Sequence, residues 1–238
     1  MRSIIILSLM LSVFSAQAVQ NTESYKKSID NKIEKMKKKK SSWTAEEKQL
    51  MKDESEKLAK ALPNPGIQVG EKAPGFSLTN SQGETVTLAS ELAKGPVVLV
   101  FYRGAWCPYC NMQLRALKDN LPAFEKYNAQ LVTITPQTPD KSEAQFKKEG
   151  YPFEVLSDLD YQVMKDYKLY FEPPKELVKL YKKHGLDIEA FNGDGRSALP
   201  VPGTFIIDQQ GIVRAMQAQT NYKIRMEPAD IIKALAAL

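Results

Sequence analysis

The unbroken apolar run Val97-Val98-Leu99-Val100-Phe101-Tyr102 leads through Arg103-Gly104-Ala105-Trp106 into Cys107-Pro108-Tyr109-Cys110. A run this apolar predicts a central strand buried on both faces of a sheet. Met112, Leu114, Leu117, Leu121 and Phe124 then predict a helix beginning near Cys107, which Pro122 is expected to kink or to end at its first half. Pro108 suits the first helical position, where its missing N–H would have been unpaired in any case. A buried strand, a short loop and a helix start carrying two cysteines call for an α/β layer fold.

At that helix start Cys107 faces unpaired amides and the positive end of the helix dipole, and both favour thiolate over thiol. Arg103 stands where it can add a nearby positive charge. The C-x-x-C spacing puts the second sulfur one turn away, so Cys110 can attack an oxidised Cys107 and close a small disulfide. Trp106 packs beside the nucleophile and limits water access. Three bland readings compete with redox chemistry. A structural disulfide between residues three apart restrains little chain. A zinc site needs three or four ligands, and the chain has two cysteines and one histidine, His184, in a Lys-rich stretch. Two inert thiols would be odd in an exported chain with no other cysteine. The same counts set aside a multi-disulfide scaffold and make a Ser-His-Asp triad a poor fit.

Export is read from residues 1–18. Met1-Arg2 is a short basic start, Ile4 to Phe14 is almost wholly apolar, and Ala16-Gln17-Ala18 offers small residues for cleavage. The apolar run is short for a membrane span. The expected location is therefore a bacterial periplasm or the cell exterior, where disulfides persist. Residues 19–66 read as a basic helical extension: Ile29, Ile33 and Met36 recur at helical spacing, and Lys37 to Lys40 are four consecutive cations. Thr44-Ala45-Glu46-Glu47 fits a capping box, followed by an apolar stripe of Leu50, Met51, Leu58, Ala61 and Leu62 and a break at Pro63-Asn64-Pro65-Gly66. The lysine run offers weak attraction to an anionic surface or an acidic partner, and the competing reading is a solvated helix face. A net charge of +5 without aromatics interleaved among cations argues against nucleic-acid binding.

From Gly70 the texture becomes compact. Phe76 to Leu78 and Thr85 to Leu88 flank a hairpin turn at Asn80-Ser81-Gln82-Gly83. Strands are expected at Leu131–Thr135 and Phe153–Leu156, and helices at Lys141–Gly150 and Tyr161–Tyr167. The polar stretch Tyr170–Leu199 reads as a surface loop or a contact between subunits rather than a lid. A second hairpin joins Thr204–Ile207 to Ile212–Met216 through Asp208-Gln209-Gln210-Gly211, and a helix over Ala229–Leu238 closes the chain.

Residues from about Gly70 to Leu238 resemble the alkyl hydroperoxide reductase / thiol-specific antioxidant family, the peroxiredoxins. The likeness is carried by Val69-Gly70-Glu71-Lys72-Ala73-Pro74-Gly75-Phe76-Ser77-Leu78, by the cysteine segment, and by Pro202-Gly203-Thr204-Phe205-Ile206-Ile207-Asp208 with Gly211. Those parts also resemble thioredoxin-type disulfide reductases. Thr133-Ile134-Thr135-Pro136-Gln137-Thr138-Pro139, Phe146, and Tyr151-Pro152-Phe153-Glu154-Val155-Leu156-Ser157-Asp158 resemble peroxiredoxins specifically. The chain is most similar to the peroxiredoxin-like subgroup bearing Arg-Gly-x-Trp-Cys-Pro-Tyr-Cys. Arg225-Met226-Glu227-Pro228 looks shared with that subgroup, and only Pro228, as a helix start, has an evident role.

The resemblance implies a thioredoxin-like fold over residues 67–238, a mixed central sheet flanked by helices, behind the helical extension. It implies Cys107 as the peroxidatic cysteine, Cys110 as the resolving one, a Cys107–Cys110 disulfide when oxidised, and no metal or cofactor. Two departures stand out. Peroxiredoxins carry Pro-x-x-x-(Thr/Ser)-x-x-Cys, whereas Gly104 and Val100 stand three and seven residues before Cys107. Pro202 stands where the family has a second active-site arginine, which leaves Arg103 or Arg196 to supply that charge. A proline there is the thioredoxin habit, in cis against the disulfide, so Pro202 is expected to line the substrate pocket with Trp106 and Pro108. The expected function is an exported thiol peroxidase acting on hydrogen peroxide or alkyl hydroperoxides, recycled by a thioredoxin-like dithiol donor. The alternative is a periplasmic thiol–disulfide oxidoreductase acting on protein disulfides. A third reading is an inactive binding module that docks through its lysines.

Overall fold

The computed structural model describes residues 43–238 together with Asp30, Glu34 and Lys35. The export signal, the repeat of Ile29, Ile33 and Met36, and the cations Lys37 to Lys40 lie outside the described residues. The first hairpin is formed by β1 (Ser77–Asn80) and β2 (Thr85–Thr87), paired antiparallel. Its turn is closed by Asn80, whose Oδ1 accepts from the amides of Gln82 and Glu84, while Gly83 takes φ +86°.

The predicted central strand is β3 (Val97–Phe101), with all five residues buried. It runs parallel to β4 (Gln130–Thr135) and antiparallel to β8 (Gly203–Ile207). Side chains alternate across a strand, and β3 feeds two cores in that way. Val97, Leu99 and Phe101 join Phe205, Tyr167 and Ile134 on one face. Val98 and Val100 join Leu114, Leu117, Phe124 and both cysteines on the other. Each such buried Val, Leu or Phe contributes about 1.5–3 kcal/mol.

Outward from β4 lie β5 (Glu154–Ser157), in parallel, and then the first hairpin. Beyond β8 lies β9 (Val213–Ala218), antiparallel, with a register shift at Ile206/Ile207. Among the described residues the sheet order is β2-β1-β5-β4-β3-β8-β9. This is the mixed, helix-flanked thioredoxin-like sheet that the sequence led us to expect.

Five helices precede or connect these strands: α1 (Ala45–Ala61), α2 (Leu88–Lys94), α3 (Pro108–Glu125), α4 (Pro139–Glu149) and α5 (Gln162–Asp166). Pro122 does not end α3. It sits exposed near the C-terminal end, where water can reach the carbonyl it leaves without a partner. The capping box on α1 is formed in both directions, Thr44 N to Glu47 at 2.9 Å and Glu47 N to Thr44 Oγ1 at 3.2 Å.

The stretch 170–199 differs from the expected surface loop. Its ends pair as β6 (Tyr170–Phe171) and β7 (Leu199–Pro200), and between them run α6 (Lys175–Lys183) and α7 (Glu189–Asn192). Leu177, Leu180 and Tyr181 make one face of α6, and with Ile188 and Leu199 they form a small core. Leu50, Met51 and Trp43 of the α1 region pack on that core, as does Trp106 from the cysteine loop. The insertion is thus a structured cap that joins α1 to the cysteine loop. α8 (Pro228–Leu235) closes the chain, burying Ile231 and Leu235.

Candidate active site

Cys107 is the N-cap of α3, with extended φ −86° and ψ 112°, and Pro108 follows in the first turn. The loop before it turns at Gly104, φ +140°, where a Cβ would lie 2.5 Å from Trp106 Nε1. Only glycine takes that conformation without strain. A buried amide network holds the loop from beneath. Gln137 Oε1 accepts from Ala105 N at 2.6 Å, and Asn111 Nδ2 donates to Ala105 O at 2.6 Å. Gln145 links the two, donating to Asn111 Oδ1 at 2.9 Å and accepting from the Tyr102 hydroxyl at 2.8 Å and Gln137 Nε2 at 3.3 Å. Nothing in the sequence marks Asn111 and Gln145, because polar residues on helices read as solvent-facing until the fold brings them together.

Both cysteines are free thiols, 1% and 0% exposed. Arg103 is buried beside them. Its guanidinium lies 4.5 Å from the Tyr222 ring centroid and 4.8 Å from that of Trp106, and its Nη2 donates to Tyr181 OH at 3.3 Å. Its Nε has no hydrogen-bond partner, and among the described residues no carboxylate pairs with it. A second guanidinium arrives from the segment between β9 and α8, with Arg225 Nη2 donating to Cys110 Sγ at 3.5 Å. Arg196, one of the two arginines considered for that charge, is held elsewhere by the carbonyls of Asn192 and Leu159 and by the Tyr161 ring.

These contacts divide the two thiols. Burial alone would raise the Cys110 thiol, but the hydrogen bond from Cys107 and the charges of Arg225 and Arg103 hold it well below the ordinary thiol value. Cys107 is pushed up by burial and by its bond to the Cys110 sulfur, and the two arginines do not compensate. The helix start alone would place the negative charge on Cys107. The structure adds Arg225 on the Cys110 side, while Arg103 acts on both sulfurs.

Of the expected pocket residues, Trp106 and Pro202 are at the site. Trp106 packs against both Arg103 and Tyr181, its ring centroid 6.1 Å from that of Tyr181. Pro202 is buried and lines the same cavity as Arg103, but there is no cis peptide bond among the described residues, so its thioredoxin-like geometry is absent. Pro108 is exposed on the first turn of α3 and does not line that cavity, because the first helical position turns its ring outward. The cavity, about 410 Å³, runs between α1 and the 170–199 cap, from Met51, Leu58 and Phe171 down to Arg103, Tyr181 and Tyr222. Among the described residues no three His, Cys, Asp or Glu side chains converge as metal ligands.

Residues 69–216 match the AhpC/TSA family. Peroxiredoxin Bcp of Escherichia coli K12 is 33% identical over 109 residues, covering 46% of this chain and 69% of that protein. Chloroplastic peroxiredoxin Q of Populus jackii is 29% identical over 62% of this chain, and the match spans 59% of that protein's length. Peroxidoxin BcpB from Mycobacterium tuberculosis shares the fold, with a TM-score of 0.57 and 21% identity over 72% of this chain and 98% of that one.

Proposed function

Because the chain belongs to the AhpC/TSA family, we propose that it is an exported thiol peroxidase that reduces hydrogen peroxide or alkyl hydroperoxides with its Cys107/Cys110 dithiol. The observation that carries this reading is the pair itself: two free thiols, hydrogen-bonded to each other, enclosed with the Arg103 and Arg225 guanidiniums. One sulfur, as thiolate, gives an electron pair to an oxygen of the peroxide and the O–O bond breaks. The departing alkoxide or hydroxide takes a proton, leaving a sulfenic acid. The other thiol attacks that sulfur and expels hydroxide, which leaves as water after protonation. Two thiols have then become a disulfide, and the peroxide an alcohol and water. A buried cation such as Arg103 stabilises both the thiolate and the negative oxygen that leaves.

The near-complete burial of both sulfurs supports a small oxidant over a folded protein as the first substrate. A thioredoxin-like dithiol donor would return the disulfide to thiols, and it needs the cap or the Tyr222 segment to open. Export rests on Met1 to Ala18.

The test is turnover. Full-length protein with hydrogen peroxide and a thioredoxin/thioredoxin reductase pair should consume NADPH in proportion to peroxide, and Cys107→Ser/Cys110→Ser should not. Reduction of insulin without peroxide consumption would point to thiol–disulfide exchange instead.

A further inference from the structure

We infer that Arg225 is a catalytic residue which selects Cys110 as the sulfur that attacks peroxide, with Cys107 as the proton donor and resolving thiol. This rests on the peroxidase reading above. Arg225 lies beyond residue 216, where the AhpC/TSA match ends, so the family match does not assign it.

Four observations converge on it. Its Nη2 is 3.5 Å from Cys110 Sγ, and its Nη1 donates to Ile224 O at 2.8 Å, which fixes the guanidinium plane. Its Nε is buried without a hydrogen-bond partner. The segment that carries it is anchored next door: Met226 is buried in the cysteine-side core, and Pro228 opens α8, which packs on α3. Finally, the Cys107 and Cys110 side chains are hydrogen-bonded to each other, so Cys107 stands within reach to pass a proton and to close the disulfide. A guanidinium within hydrogen-bond reach of one sulfur favours the thiolate there over the neighbour.

The sequence of steps balances. The Cys110 thiolate attacks the peroxide oxygen, and the O–O electron pair leaves with the alkoxide. Cys107 protonates that alkoxide and becomes the thiolate. It then attacks the Cys110 sulfenic sulfur, expelling hydroxide, which takes one proton from solvent. Arg225 stays protonated throughout and holds charge first on sulfur, then on the departing oxygen.

The experiment uses the full chain. Thiolate absorbance is titrated against pH, and sulfenic acid is trapped with dimedone after one equivalent of hydrogen peroxide, in wild type, Cys107→Ser, Cys110→Ser, Arg225→Met, Arg225→Lys and Arg196→Met. Cys107→Ser should still form the adduct, and should form it on Cys110, faster than free cysteine reacts, although the lost thiol proton donor slows it relative to wild type. Cys110→Ser should react no faster than free cysteine. Arg225→Met should raise the thiolate midpoint by about 1–3 pH units, the range for losing one adjacent opposite charge. At neutral pH it should slow peroxide reaction roughly 10-fold or more. Arg225→Lys should restore part of both, and Arg196→Met neither change. A fast Cys107 adduct in Cys110→Ser, or an unmoved midpoint in Arg225→Met, overturns the assignment while leaving the peroxidase reading intact. Wild-type thiols lost no faster than free cysteine, with no adduct in Cys107→Ser, remove both readings.

Discussion

The Arg103 guanidinium stacks 4.5 Å from the Tyr222 ring centroid, and Tyr222 in turn meets Tyr109 edge-on at 5.6 Å. One residue of the C-terminal segment thus covers both the buried cation and the start of α3. Replacing it with leucine removes the ring face and the hydroxyl and leaves a smaller apolar side chain in their place. Tyr222→Leu should lower stability by about 1–2 kcal/mol, the range for a partly desolvated cation–π pair. Alkylation of the reduced thiols by a maleimide should also become faster. Unchanged denaturant midpoint and alkylation rate would show that Tyr222 does not hold the cover closed.

Gly104 makes the cysteine loop possible, because φ +140° and the 2.5 Å approach of Trp106 Nε1 leave no room for a methyl group. Gly104→Ala should destabilise the protein by about 1–3 kcal/mol. It should also move Trp106, which a change in tryptophan emission would report, since Trp106 and Trp43 are the two tryptophans in the chain.

The Gln137 side chain accepts from the Ala105 amide at 2.6 Å inside the protein. Gln137→Leu leaves that amide without its acceptor and should cost about 1–3 kcal/mol, the penalty for an unpaired polar group. The peroxide rate should fall with it, because the loop also carries Arg103 and Cys107. Chemical denaturation and single-turnover kinetics on the same variant separate the two effects.

Docking of α1 on the cap depends on pH through Glu47. Lys183, at 2.7 Å, the Thr44 amide and His184 hold its carboxyl at about 2, below the ordinary 4.5. A carboxyl depressed in the folded state adds stability above its unfolded value and loses it as pH falls toward the folded value. Trp43, stacked on His184 with centroids 4.0 Å apart, should therefore report undocking as pH drops from about 4.5 toward 2. Glu47→Gln should abolish that step and leave α1 more weakly docked at neutral pH.

The groove between α1 and the cap leads to Arg103 through Leu58 and Phe171. If alkyl hydroperoxides enter by it, Leu58→Trp should cut the rate with cumene hydroperoxide roughly 10-fold relative to hydrogen peroxide, a typical penalty for a steric change in an apolar pocket. Equal effects on the two substrates would show that the groove is not the entry route.

Much of this arrangement was legible along the chain. The β3 run is apolar at every position because both its faces are buried, and the hairpin turns at Asn80–Gly83 and Asp208–Gly211 carry residues that only turns require. Two parts were not legible, for physical reasons. In α6 the apolar face is three residues, Leu177, Leu180 and Tyr181, among four lysines, so a short helix docked on one side looks like a polar loop. Arg225 is 115 residues from Cys110, and nothing local to either marks the contact. The helix-terminus argument could therefore favour Cys107 but had no access to the charge that Arg225 brings to Cys110. The same blindness made Arg196 look as good a source of charge as any, although its guanidinium is tied to two backbone carbonyls.

The most direct measurement mixes reduced full-length protein with one equivalent of hydrogen peroxide and follows thiol loss, with free cysteine as the reference. The account predicts that both thiols disappear together, far faster than free cysteine, with one peroxide consumed per pair and a mass change of two lost hydrogens. Thiol loss no faster than that of free cysteine would contradict it.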